Sequence, residues 1–208
     1  MTGVSIFRGA VAALGWGALA LQYWLMLARG GDPALTTLNF FSYFTILTNL
    51  LVAVAMTFLA LPATGGASGF FRRPAVRAAL TLYIAVVGGV YFTILRHTWD
   101  PQGWQLVADR ILHYAIPALV IADWLLLTPK GDLKWRDMPG WLVYPALYGA
   151  YALARGAIDG FYPYPFLDAG KLGYAPVLAN LAWLIGLFAA GGFTLIAVAK
   201  LLSPTARR

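Results

Sequence analysis

Apolar residues along the 208-residue chain gather in six stretches, at about residues 6–27, 37–61, 74–95, 103–127, 139–157 and 175–202, separated by short segments rich in Pro, Gly and charge. Each stretch is close to or above the roughly 20 residues that a helix needs to cross the hydrocarbon core of a bilayer. Gly and Pro clusters punctuate such helices because they break the backbone bonding ladder. The pattern predicts an all-α polytopic membrane bundle of about six transmembrane helices, in a single domain over residues 1–208. None of the connecting segments, of which 158–174 is the longest, has room for a separate domain. The first stretch is longer than the apolar core of a secretory signal, so it is expected to stay as a span.

Composition strengthens this picture. With 61% hydrophobic and only 11% charged residues, and a mean hydropathy of +0.72, the chain has too little charge to cover a water-facing surface. A cytosolic globular domain, a disordered chain and a coiled coil are excluded on this ground. The absence of Cys removes thiol nucleophiles, thiolate metal sites and disulfides. Two separated His, no Glu and no phosphate-cradling glycine loop give no metal constellation, and no cofactor is expected.

The net charge of +7 reads as a topology signal. Ten Lys and Arg (Arg8, Arg72, Arg73, Arg77, Lys130, Lys134, Arg136, Lys200, Arg207, Arg208) fall on the side of the termini, against five (Arg29, Arg96, Arg110, Arg155, Lys171) on the other. Positive residues are retained on the cytoplasmic side, so both termini are expected there, in a multi-pass protein of the cell's inner (plasma) membrane. The same charge suits anionic lipid headgroups and gives no nucleic-acid footprint. Small residues at Gly9, Ala13 and Gly17, at Gly88–Gly89, and at Gly186 and Ala190 are expected to let helices approach closely.

Polar groups inside a membrane are costly and usually line a cavity. On the second stretch Asn39, Ser42, Thr45 and Asn49 share one face of a continuous helix, with Thr48 about 60° away. On the fourth, Asp109, His113 and Asp123 form a second stripe, which Pro117 interrupts by removing a backbone donor. At 1.5 Å per residue, Thr45 and His113 lie roughly 12 and 15 Å below the same end of the bundle. A hydroxyl facing an imidazole is the minimum for nucleophilic acyl transfer, because neutral His takes the proton as the oxygen attacks a carbonyl. Each group also has a plainer role: Thr bonded to the carbonyl one turn back, His113 tied to Asp109, Asp109 paired with Arg110, Asp123 hydrated at the interface, His97 solvated in its loop. The pentapeptide Tyr-Phe-Thr-Ile-Leu occurs at residues 43–47 and again at 91–95, which gives Thr93 a lesser claim to the role of Thr45.

The segment before the last stretch, Tyr162-Pro163-Tyr164-Pro165-Phe166-Leu167-Asp168, combines prolines that fix the backbone with aromatics suited to the membrane interface. It is either an anchor in the aromatic belt or a lid over the same leaflet as Thr45 and His113.

These segments, together with Tyr43-Phe44-Thr45-Ile46-Leu47-Thr48-Asn49-Leu50 and the run from His113 to Pro117 followed by Asp123, resemble the androgen-induced-gene type of integral-membrane threonine hydrolases and their bacterial six-span relatives. The resemblance follows the order of spans over most of the chain. It implies an intramembrane lipid ester hydrolase with Thr45 as nucleophile and His113 as general base, acting on fatty acid esters of hydroxy fatty acids or related acyl lipids. Asn49, Ser42, Asp109, Tyr162 and Tyr164 are the candidates for orienting the pair or binding substrate. The expected partner is a membrane lipid or fatty-acyl ester. A lipid-binding or small-solute transport bundle would use the same polar face without chemistry, and an acyltransferase would differ only in what resolves the acyl-enzyme.

Overall fold

The computed structural model describes residues 2–62, 65–130 and 133–203, and every regular element among them is helical. Four helical runs are long and apolar enough to cross a membrane. They are α1 (Gly3–Ala28), α5 (Pro74–Thr93, prolonged by a 3-10 turn to His97), the run from α6 (Gly103–Arg110) through a π turn (Ile111–Ala115) to α7 (Ile116–Leu127), and α11 (Tyr174–Leu202). A fifth is divided: α2 (Pro33–Phe40) and α3 (Phe44–Ala60) meet at a bend of 74°. The fifth apolar stretch forms α8 (Met138–Trp141) and α9 (Val143–Asp159), the latter 17 residues long. Short helices α4 (Gly66–Arg72) and α10 (Ala169–Leu172) fold the connections on either side.

Local chemistry sets several of these ends. Asp32 caps α2 by accepting from the Ala34 amide at 2.8 Å, and Pro33 supplies a preset first turn. Gly160 closes α9 at φ +76°, a conformation that a residue with Cβ resists. The break between α2 and α3 has no Pro or Gly behind it. It corrects the expectation of a continuous helix over 37–61, and its cause is tertiary: α9 supplies the partners that the broken ladder lacks.

The core lies between α3, α5, α7 and α9, where Phe44 packs on Tyr144 and Tyr148 with ring centroids 5.0 Å apart in both pairs. Close helix approaches occur, though not on all the faces expected. A Cβ added at Gly15 would stand 3.4 Å from Ala53, and one at Gly88 would meet Pro117 at 3.1 Å and the His113 carbonyl at 3.2 Å. At Gly17 and Gly186 it would meet nothing, because those positions face away from any neighbouring helix.

At the end of the bundle remote from the α2–α3 break, Asp123 bridges three helices. Its Oδ1 accepts from Arg8 Nε of α1 at 2.8 Å and its Oδ2 from Arg77 of α5, and all three side chains are buried. Arg8 also donates to the Leu127 carbonyl at 3.2 Å. Asp123 is therefore not a hydrated interfacial group, and two of the cations counted for topology serve inside the protein. Arg207 and Arg208, counted with them, lie outside the described residues.

Candidate functional site

Thr45 is the second residue of α3, so its place in the structure is a buried helix start and not the middle of a span. The first amides of a helix have no partner within it, and Tyr43 gives no side-chain cap. The Thr45 amide instead donates to the Tyr164 hydroxyl at 3.1 Å, and that hydroxyl stands 3.3 Å from Thr45 Oγ1. Burial pushes the Tyr164 hydroxyl up to about 12, so the group stays a neutral donor.

The break that exposes this helix start is held by α9. Arg155 donates to the Leu38 carbonyl at 3.0 Å, to Asn39 Oδ1 at 2.5 Å and to Ser42 Oγ. Tyr148 donates to the Ser42 carbonyl at 2.9 Å, and Tyr151 lies 2.7 Å from Ser42 Oγ. A cation at the end of α2 also matches the negative end of that helix. Ser42 is thus bound up in the break and lines neither cavity described below. Arg155 escaped notice in the sequence, where it appeared only as a topology charge.

His113 sits at the centre of the π turn, a one-residue widening of the helix. Pro117 lacks the N–H that would bond the His113 carbonyl, and Gly88 of α5 lies against both. His113 Nδ1 is 3.1 Å from the Asp109 backbone carbonyl and 3.1 Å from Asp109 Oδ1. Facing two oxygens, Nδ1 carries the proton, which leaves the lone pair on Nε2. Tyr91 stacks on the imidazole at 3.8 Å and 15°, donates to Asp109 Oδ2 at 2.7 Å and accepts from Trp99 Nε1 at 3.2 Å. The ring is therefore fixed on one face by an aromatic and at Nδ1 by the Asp109 backbone carbonyl, with carboxylate oxygen Oδ1 nearby but without a hydrogen bond of its own.

Asn49, fully buried one turn after Thr45, donates to the Thr45 carbonyl at 2.9 Å and to the Leu112 carbonyl at 3.3 Å. It ties the helix carrying Thr45 to the turn carrying His113.

Two cavities meet at Thr45. One, of about 310 Å³, is lined by Gln22, Arg29, Tyr91, Asp109 and His113 and by the prolines flanking Tyr164. The other, of about 70 Å³, is largely apolar and lined by residues such as Val87, Val90, Leu184 and Phe188. Thr45 and Tyr164 line both. No hydrogen bond joins Thr45 to His113; they face the same chamber.

Of the other threonines considered, Thr48 is buried 3.1 Å from the Tyr144 hydroxyl, and Thr93 is exposed and bonded to the Gly89 carbonyl at 2.8 Å. Neither lines either of these two cavities. Tyr162 packs its ring over Gly156, where an added Cβ would lie 2.0 Å from it, and stands outside both cavities. His97 lies in an exposed turn and accepts from Arg96 at 3.0 Å. Among the described residues no group of His, Asp and Glu is gathered to hold a metal. No family model, curated protein or solved structure matches the chain.

Proposed function

We propose that the protein is an integral-membrane acyl ester hydrolase in which Thr45 is the nucleophile and His113, oriented by Asp109, is the general base. The observation that carries this reading is the position of Thr45: a hydroxyl at a buried helix start, lining both an apolar chamber and a larger one that also holds His113 and Asp109. The resemblance to intramembrane threonine hydrolases supports the same roles.

The Thr45 proton passes to His113 Nε2, directly or through one water, as Oγ1 bonds to the ester carbonyl carbon. The carbonyl oxygen becomes an oxyanion beside the Tyr164 hydroxyl, which accepts from the Thr45 amide and keeps its own proton to donate, a donor in place before charge develops. Collapse of the intermediate breaks the ester C–O bond, and His113 returns its proton to the departing alcohol. Water, activated by the same imidazole, then releases the acid from Thr45.

The topology that serves this chemistry has six crossings, with α8 and α9 together making one and α2 and α3 another. Both termini are cytoplasmic, following the distribution of Lys and Arg. The polar chamber then opens at the outer end of the bundle in a plasma membrane, where an amphiphilic ester can enter sideways.

A broken span next to a polar cavity is also how transport bundles bind solutes, and kinetics separates the two. Replacing Thr45 with Ala should lower kcat/KM for acyl esters to the uncatalysed level. Thr45→Ser should retain part of it, and His113→Ala should lose about two to four orders of magnitude. Esters cleaved equally by wild type and Thr45→Ala would favour the transport alternative.

A further inference from the structure

The two chambers are unequal, and the chemistry assigns each to one half of the substrate. In the reaction proposed above, the alcohol oxygen must receive its proton from His113. His113 lines only the 310 Å³ chamber, so the alcohol half sits there, and the acyl half projects past Thr45 into the apolar chamber. When the alcohol leaves, water takes its place beside the imidazole while the acyl group stays where it was.

We infer that the acyl half is short, acetyl to about butyryl, and that the larger half of the substrate is a polar or amphiphilic alcohol. This deepens the hydrolase reading and rests on it. A cavity of about 150 Å³ accommodates benzene, or about 25 Å³ per carbon. On that scale the 70 Å³ chamber holds about three carbons beyond the carbonyl, and the 310 Å³ chamber about twelve non-hydrogen atoms. Apart from Thr45, Tyr148 and Tyr164, whose hydroxyls are bonded to one another or to the Ser42 carbonyl, the small chamber is lined by apolar side chains, as an alkyl tail requires. The large one offers Gln22, Arg29 and Thr98, hydrogen-bonding groups that a saturated acyl chain could not use. Phe188 is buried in the wall of the small chamber, and the half-buried Leu184 shares that wall on α11.

The test is the acyl-length profile of kcat/KM on 4-nitrophenyl esters from acetate to palmitate. They are presented to the full-length protein in the same mixed micelles, with Thr45→Ala as the blank. Wild type should be fastest from acetate to butyrate and slower by about tenfold or more at octanoate, since a small apolar pocket discriminates by chain length. Phe188→Ala and Leu184→Ala should each extend the tolerated length while still cleaving acetate. If Phe188→Ala does not fold, the milder Leu184→Ala decides the point. A wild-type rate that climbs through palmitate, or a profile that neither variant moves, overturns the chain-length inference and leaves the hydrolase intact. No turnover above the blank at any length overturns both.

Discussion

Tyr164 and Tyr162 are two residues apart in a Tyr-Pro-Tyr-Pro sequence and were equal candidates there, yet the fold gives them different work. Tyr162 covers Gly156 as a packing ring, whereas Tyr164 reaches Thr45 with its hydroxyl. The Tyr164 ring is independently fixed by stacking on Phe166 at 5.3 Å and by an edge contact with Tyr43 at 5.8 Å. Tyr164→Phe should therefore keep the loop in place and lose only the hydroxyl. Removing one oxyanion donor costs about 10²–10³ in kcat, and that loss is expected with KM little changed; kcat unaltered by Tyr164→Phe would remove it from the oxyanion site. Among Thr45, Thr48 and Thr93, residue pattern alone offered no physical ground for the choice, and Thr45 was named by the resemblance. The choice depends on which hydroxyl is consumed by Tyr144 or by a carbonyl, and which is left on a cavity.

Two irregular elements make the site, and the sequence showed one of them. Pro117 announces that the fourth span cannot keep its ladder at His113, and the π turn falls there. The α2–α3 break has no such marker: Phe41, Ser42 and Tyr43 are compatible with a helix, and only α9, over a hundred residues away, selects the broken form. Hydrophobic pattern placed the apolar stretches because it depends on local composition, and it missed the bend because long-range hydrogen bonds decide it. Arg155 is the centre of that arrangement. Arg155→Met should leave Asn39 Oδ1 without its donor and take one partner each from the Leu38 carbonyl and Ser42 Oγ, which keep their mutual hydrogen bond at 2.7 Å. Hydrogen bonds to charged groups contribute about 1.5–3 kcal/mol each, so a clear fall in the thermal unfolding midpoint is expected in lipid nanodiscs, together with loss of activity. Arg155→Lys should rescue little, since an ammonium cannot match the fork of donors. A midpoint unchanged in Arg155→Met would show that the break does not depend on α9.

At the scale of the whole molecule, the charged triad and the reactive chamber occupy opposite ends of the bundle. Arg8, Arg77 and Asp123 lock α1, α5 and α7 together at one end, while residues farther along the same helices, Arg29, Tyr91 and His113, open onto the chamber at the other. In the proposed reaction, substrate enters at the end remote from the triad. Asp123→Ala would leave two buried guanidinium groups without their carboxylate, and breaking a buried ion pair in this way costs about 3–5 kcal/mol. Its unfolding midpoint should drop sharply, and a midpoint equal to wild type would contradict a structural role for the triad. All-helical class and apolar spans were legible from composition, whereas the pairing of Asp123 with Arg8 and Arg77 required the helices to be placed side by side.

The assignment of Thr45 as nucleophile is tested most directly by labelling the intact protein with a fluorophosphonate and locating the adduct by mass spectrometry. The adduct is expected on Thr45 Oγ1, absent in Thr45→Ala and formed far more slowly in His113→Ala. An adduct on Thr48, Ser42 or any other residue, or full inhibition of ester hydrolysis with Thr45 left unmodified, would contradict it.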